Sequence, residues 1–184
     1  TEGITKITAA DFEYANATDH TIKLLGRSRA IDDNTAEVMV APFLLSKEHP
    51  LAMVHGVFNA VFVTGNMLGD SMYYGRGAGK LPTASAVVSD VVDCARHQGK
   101  VIMCFWDKEE VKLADIGEAE RSFFIRAKAG AEDAVTAAFP GGRMVHLKDR
   151  KEDFGYFTQS MKEKDFQAKY EALGGQMLGR IRLV

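Results

Sequence analysis

Residues 74–84 read YGRGAGKLPTA and separate a segment that alternates like a strand from one with helical periodicity. Gly75, Gly77 and Gly79 remove the Cβ atom at every second position, immediately before the predicted helix. Backbone without Cβ atoms can approach a ligand closely, and the N-terminus of a helix favours anions. Close packing of this loop on its own sheet would need the same glycines, so the residues alone leave both interpretations open.

Two phosphate-binding motifs are excluded by spacing. A P-loop needs Gly, four further residues, and then Gly-Lys-Ser/Thr, but Tyr74 and Leu81 stand at the first glycine and at the hydroxyl position. A dinucleotide fingerprint needs G-x-G-x-x-G in a βαβ unit, and Lys80 stands at its third glycine. The segment is therefore not predicted to hold a phosphate in either of these ways.

The residues before and after this loop predict hairpins covered by helices. Residues 21–31 and 35–44 form one predicted hairpin, and residues 58–64 and 71–74 form a second. We expect the four strands to make one mostly antiparallel sheet, with the helix after the glycines covering one face. A hydroxyl and an acid three residues apart, Thr8 and Asp11, predict a short helix before the hairpins. The apolar stripe of the covering helix consists of Ala84, Val87, Val88, Val91 and Ala95.

The C-terminal third has the element order of a ferredoxin-like domain. A short strand is predicted at 100–107 and a charged linker at 109–120, after which the order is β-α-β-β-α-β. The fold class is therefore α+β, a mostly antiparallel or mixed sheet covered by helices and followed by this domain. The predicted segments are strands at 122–128, 143–148, 154–159 and 178–184, and helices at 130–139 and after a capping box at 160–163.

Composition excludes several classes of function. A formal charge of −2 without a basic, aromatic run argues against nucleic acid, and no apolar run reaches the roughly 18 residues of a membrane span. The only two cysteines, Cys94 and Cys104, indicate a reducing, cytoplasmic setting, and we expect both to be packed in the interior. The five histidines lack ligand spacing, so no metal site is predicted.

The segment 65–90, GNMLGDSMYYGRGAGKLPTASAVVSD, resembles the catalytic region of homoserine dehydrogenases. Shorter matches occur in the family's order at EGI 2–4, TIKLLG 21–26, HPL 49–51 and NAV 59–61. Together they cover roughly residues 2–95, and G-x-G-A-G-x-x-P-T-A is their specific part.

The resemblance implies an NAD- or NADP-dependent, reversible interconversion of homoserine and aspartate semialdehyde, on the route to threonine and methionine. In that family, the matching loop contacts the cofactor near its nicotinamide end. The cofactor-binding residues expected here are Gly79 first, with Gly77, Ala78 and Gly75 beside it. The family's nucleotide-binding domain and its proton-transferring lysine and carboxylates precede this region, so no catalytic residue is assigned. Because the chain opens on Thr1 rather than Met, we expect a fragment of a longer enzyme. Because the nucleotide-binding domain and the proton-transferring groups are expected outside it, we expect this fragment alone to be inactive.

The last segment is similar to the ACT regulatory domains that many members of the family carry. The resulting division is a part of the catalytic and dimerisation domain at 1–108, a linker at 109–120 and an ACT-like domain at 121–184. It implies a possible amino-acid effector and association into a homodimer or higher homo-oligomer. The alternative function is an amino-acid-sensing regulatory or dimerisation module without catalysis.

Overall fold

The computed structural model describes residues 1–101, 103, 105–106 and 108–184, and it confirms the α+β fold class with a mixed sheet. The helices are α1 (Ala9–Ala17), α2 (Lys80–Arg96), α3 (Glu132–Ala138) and α4 (Glu163–Ala172). The longer strands are β1 (His20–Asp32), β2 (Thr35–Ser46), β3 (Phe58–Gly65), β4 (Gly69–Arg76), β7 (Phe123–Lys128), β9 (Asp153–Phe157) and β11 (Met177–Leu183). The shorter strands are β5 (Lys112–Leu113), β6 (Glu120–Arg121), β8 (Arg143–Val145) and β10 (Met161–Lys162). Three 3₁₀ turns lie at Pro50–Met53, Ile116–Glu118 and Gly174–Gln176.

The chain divides into two compact units, one of which is built from two separate stretches of sequence. Residues Thr1–Lys47 and Glu110–Val184 form the first, which we call the sheet unit. Residues Glu48–Glu109 form the second, the hairpin unit. The family-based boundaries at residues 108 and 121 are drawn on other grounds and stay a prediction.

One sheet organises the sheet unit, in the order β1-β2-β11-β7-β9-β8, with β5 also paired to β2. The last four of these strands, with α3 and α4 between them in sequence, have the predicted β-α-β-β-α-β element order and ferredoxin-like strand order. The predicted β1–β2 hairpin joins this sheet through a parallel pairing that sets Phe43 beside Arg182 and Leu44 beside Leu183. The N-terminal hairpin and the C-terminal elements therefore share one sheet.

Two apolar clusters occupy the two faces of this sheet, as alternation along β7 requires. Phe123 and Ile125 belong to the cluster with residues of α3 and α4, where Phe166 stacks on Phe123 with ring centroids 3.6 Å apart. Phe124 belongs to the opposite cluster, together with Tyr14 of α1. Helix α1 thus covers the face that α3 and α4 leave open, and all these side chains are buried.

A buried arginine on β7 fastens α1 to the sheet. Arg126 donates from Nε to the Asp11 carboxylate at 2.9 Å and from Nη1 to the Asp153 carboxylate at 3.0 Å. Its Nη2 donates to the Thr8 hydroxyl at 3.0 Å, so the predicted helix start at Thr8 and Asp11 is confirmed and anchored. The Tyr14 hydroxyl donates to Asp153 at 2.9 Å, and burial together with that carboxylate raises the pKa of Tyr14.

A second network of buried charges ties the N-terminal residues to β11. Arg182 donates to both Glu2, at 2.8 Å from Nη1, and Glu163, at 3.1 Å from Nε. Hydrogen bonds from Arg182 are the largest cause that lowers the pKa of Glu2 to about 2. Glu163 is also paired with Arg121, whose second partner is Glu37.

One prediction in this unit is wrong. The capping box at 160–163 does not form, because residues 161–162 pair with β6 and arginines bind the Glu163 carboxylate. A contact distant in sequence therefore replaces the local signal. Within the predicted linker at 109–120, β5 pairs in parallel with the start of β2, and the role of this segment as a linker stays a prediction.

The hairpin unit keeps its own two-stranded sheet, β3–β4, with a turn shorter than predicted. The expectation that all four hairpin strands share one sheet is therefore wrong. No residue of α2 is buried, so its predicted apolar stripe is exposed; the side chain of Val88, for example, is 59% exposed. Cys94 is exposed as well, contrary to expectation.

Part of one prediction lies outside the described residues. Cys104, Ile102 and Asp107 are not described, so neither the packing of Cys104 nor the whole of the predicted strand at 100–107 is tested. The described residues of that segment carry no strand. No helix in the described part of the chain is long and apolar enough to cross a membrane.

Candidate cofactor-contact site

The glycine segment lies where a strand of the hairpin unit ends and its helix begins. Strand β4 ends at Arg76 and α2 begins at Lys80, so residues 77–79 make the whole connection. Gly79 is the N-cap of α2 with φ +118° and ψ +152°, a backbone conformation that L side chains rarely adopt. The Thr83 N–H donates to the Gly79 carbonyl at 3.1 Å and closes the first helical turn.

The four predicted residues form one continuous exposed strip, but their surroundings differ. Gly75 lies in β4, where an added Cβ would meet nothing within 4 Å. At Gly79 an added Cβ would lie 3.5 Å from Cδ of Pro82, an ordinary contact. At Gly77 it would lie 1.8 Å from Nδ2 of Asn59, so the Asn59 amide or the loop would have to move. The Asn59 amide therefore fills the space beside Gly77, whereas Gly79 has a conformational reason to be glycine.

The local charge around the strip is positive. Arg76 lies within it and Lys80 follows it, both are exposed, and the first turn of α2 carries no acidic residue. The Arg76 guanidinium lies over the ring of Phe58, 5.3 Å from its centroid. Residues 75–80 contain no carboxylate, imidazole or thiol, so this strip can shape and hold a ligand but has no group for proton transfer near neutral pH.

The family of the chain follows from the region that a family model matches. The family model described as homoserine dehydrogenase matches residues 1–92, which is half of the chain and includes the whole glycine strip. The chain belongs to the homoserine dehydrogenase family. The resemblance inferred from the motif at 65–90 is thereby confirmed.

Similar proteins agree in name and in fold. Homoserine dehydrogenase from Helicobacter pylori is 37% identical over 134 residues, which cover 73% of this chain and 32% of that protein. The Synechocystis enzyme is 50% identical over 95 residues, covering 50% of this chain and 22% of that protein. The crystal structure of a Thiobacillus denitrificans homoserine dehydrogenase matches with a TM-score of 0.81 and 29% identity, over 99% of this chain and 46% of that one. The chain thus spans about a third or less of those two curated relatives and under half of the solved one.

A concave site lies in the sheet unit. A cavity of about 640 Å³ is lined by residues of the N-terminal segment, α4 and β11. Its charged and polar lining includes Glu2, Lys6, Asp11, Tyr170 and Arg180. Burial raises the pKa of Tyr170, and Arg180 donates to Glu2 at 2.9 Å. Sequence reasoning missed this site, because its walls come from residues that are far apart in the chain.

The sequence interpretation cited Asn59 only as part of the family match at 59–61 and did not assign it to the site. Its signal was available, since pairing β3 with β4 sets Asn59 opposite Gly75 and hence on the glycine face of the hairpin. Among the described residues, no group of three or more His, Cys, Asp or Glu side chains is placed to hold a metal ion.

Proposed function

We propose that this chain is the C-terminal part of an NAD- or NADP-dependent homoserine dehydrogenase. The enzyme would interconvert L-homoserine and L-aspartate 4-semialdehyde reversibly, in the biosynthesis of threonine and methionine. The single observation that carries the proposal is the glycine strip at 75–79, located inside the region matched by the family model. The two cysteines and the biosynthetic reaction favour a cytoplasmic location.

The proposed role of the strip is to contact the cofactor near its nicotinamide ring. Gly79 is the residue we place closest, with Gly77, Ala78 and Gly75 beside it. An exposed backbone strip fits a flat ring, because the Cβ-free positions at Gly75 and Gly79 place no side chain between the ring and the backbone. When bound, the nicotinamide would supply the acceptor or donor of a hydride, and this chain would supply a wall that orients it.

The groups that bind homoserine and move its proton are proposed to lie outside this chain. Residues 75–80 carry none of them, and the chain spans only part of its relatives. We therefore expect the 184-residue chain to show no dehydrogenase turnover with homoserine and NAD or NADP. Turnover by the purified chain, without added subunits, would contradict this expectation.

The cofactor contact is tested by crowding the ring. In the full-length enzyme, Gly79→Val is expected to raise the KM for the cofactor or to lower kcat by about tenfold or more. Gly99→Val is the matched control, since Gly99 follows the same helix, also has positive φ, and has open space around its Cβ position. If both variants lose activity equally, backbone strain is responsible; if neither does, Gly79 is not part of the site.

The ferredoxin-like elements of the sheet unit are proposed to serve as an ACT-type regulatory domain. The cavity beside α4 favours this, because its acidic and basic lining groups match the two charges of a free amino acid. A chain that senses an amino acid without any catalytic role is the alternative function. Calorimetry of the chain with threonine and with methionine tests effector binding. If neither amino acid releases or absorbs heat on mixing, the domain has a structural role only.

Turnover of homoserine by the full-length protein decides between the enzyme and the regulatory module.

A homodimer or higher homo-oligomer is also proposed. Large apolar side chains of the hairpin unit are exposed on α2 and on the hairpin, among them Val87, Val91, Val61 and Tyr73. Val61 and Tyr73 are paired across the hairpin, Val87 and Val91 lie one turn apart on α2, and exposed apolar patches of this kind mark interaction surfaces. A monomer by light scattering of the full-length enzyme at micromolar concentration would contradict this proposal.

A further inference from the structure

Asn59 occupies the space that a side chain at Gly77 would need. The β3–β4 register pairs Asn59 with Gly75, so Gly77 is its diagonal neighbour on the same face of the hairpin. A Cβ added at Gly77 would lie 1.8 Å from Nδ2 and 2.9 Å from Cγ of Asn59, but 3.5 Å from its Cβ. The conflict therefore comes from the amide group and not from the strand beneath it.

We propose, on the basis of the cofactor contact proposed above, that Asn59 is a positioning residue for the glycine strip. Its side chain lies across Gly77 and fixes the path of the two residues that lead to Gly79. The observed contact between Asn59 and the strip is steric, so its action on the strip is through shape. Asn59 and Gly77 then form a matched pair, because Gly77 has no side chain and so leaves room for the side chain of Asn59.

The geometry defines a cycle of variants in the full-length enzyme. Gly77→Ala is expected to push aside the strip or the Asn59 amide that supports it, and to raise the KM for the cofactor by about tenfold or more, because small displacements of binding groups are costly. Asn59→Ala removes the clashing amide and is expected to raise this KM by about threefold to tenfold, because the strip loses its support. In the double variant the new methyl group would meet only the Cβ at position 59, at 3.5 Å. We expect the double variant to recover to about the level of Asn59→Ala.

Two further variants separate positioning from other roles. Asn59→Leu keeps the branching of the side chain without its amide, so its KM is expected to rise less than that of Asn59→Ala. If Asn59 instead hydrogen-bonds the cofactor, the two variants would be equally impaired, which would overturn the positioning role. Gly65→Ala, at the far end of the same hairpin, is the control for a Gly-to-Ala change, since its Cβ would lie 3.8 Å from the Gly69 carbonyl oxygen. It is expected to leave cofactor KM unchanged.

Cofactor dissociation constants from NADPH or NADH fluorescence, together with melting temperatures, accompany the kinetics and identify variants that merely fail to fold. A general loss of stability would lower the melting temperature of Asn59→Ala without changing the cofactor affinity of the folded protein. Wild-type KM in Gly77→Ala, or a double variant that is no better than Gly77→Ala, would overturn the pairing. If Gly79→Val still impairs cofactor use in that case, only the role of Asn59 fails. If the wild-type enzyme binds no nicotinamide cofactor, both the proposed function and the positioning role of Asn59 are wrong.

Discussion

The two units use their apolar residues in opposite ways. The sheet unit buries aromatic side chains on both faces of its sheet, and it pairs several buried charged residues with one another. In the hairpin unit, Ala52 is the only buried residue among those described between 48 and 109, although its helix carries a regular apolar stripe. The comparison shows that amphipathic periodicity identifies the apolar face of a helix but does not identify the part of the protein, or the partner, that packs on it. The sheet unit holds its own core, while the hairpin unit presents a surface and the proposed cofactor strip.

Truncating an apolar side chain should give the largest difference in stability loss between the two units. Phe166→Ala removes a buried ring that stacks on Phe123 and is expected to lower the free energy of unfolding by about 3–5 kcal/mol. Val88→Ala on α2 is the matched apolar truncation, and at 59% exposure it is expected to cost less than about 0.5 kcal/mol. Urea unfolding of the chain at concentrations where it is monomeric measures both.

If the two variants lose the same free energy of unfolding, the sheet unit and the hairpin unit do not differ in how their apolar side chains contribute to stability. A cost at Val88 that emerges only at higher protein concentration would instead sharpen the comparison, because it would place α2 in the interface between copies.

Removing a tyrosine hydroxyl should also destabilise the sheet unit more than the hairpin unit, by a smaller amount than truncation of an apolar side chain. Tyr14→Phe deletes the buried donor to the Asp153 carboxylate and is expected to destabilise the sheet unit by about 1.5–3 kcal/mol. Tyr73→Phe makes the same change on the hairpin, where the side chain is 68% exposed, and is expected to stay within about 0.5 kcal/mol of wild type. Thermal unfolding followed by circular dichroism checks the pair, and a Tyr14→Phe variant as stable as wild type would remove the Asp153 contact from the account.

Acid should weaken the sheet unit through Glu2, with the smallest of the three effects. Its pKa is about 2 in the folded chain against an ordinary 4.5, because Arg182 hydrogen-bonds the charged form. A lowered folded-state pKa stabilises the protein above the unfolded value, and this contribution is lost as pH falls from about 4.5 toward 2. Glu2→Gln is therefore expected to be less stable than wild type at neutral pH, with a difference that shrinks across that window. A difference independent of pH would show that the ion pair does not contribute.

Local signals in the sequence predicted the elements well. The alternation of β7, the turn between β1 and β2 and the Thr8–Asp11 helix start all depend on residues within a few positions of one another, and the structure contains each of them. The ferredoxin-like order followed from the same local signals.

Predictions failed where a partner distant in sequence overruled the local pattern. Glu163 has the position of a capping acid, but Arg182 and Arg121 bind it, and this competition has no signature in the segment 160–163. The parallel pairing of β2 with β11 is equally invisible to periodicity. In the candidate site, the glycines were evident from spacing, whereas Asn59 required the hairpin register as well as the sequence.

The pairing of β2 with β11 also affects the order of folding. Phe43 pairs with Arg182, so β2 can gain this neighbour only after β11 has been synthesised. Contacts of such long sequence separation slow folding, since a large loop must close before they form. Until then, the edge of β2 that will pair with β11 is open, and such an unpaired edge is prone to pairing with other chains.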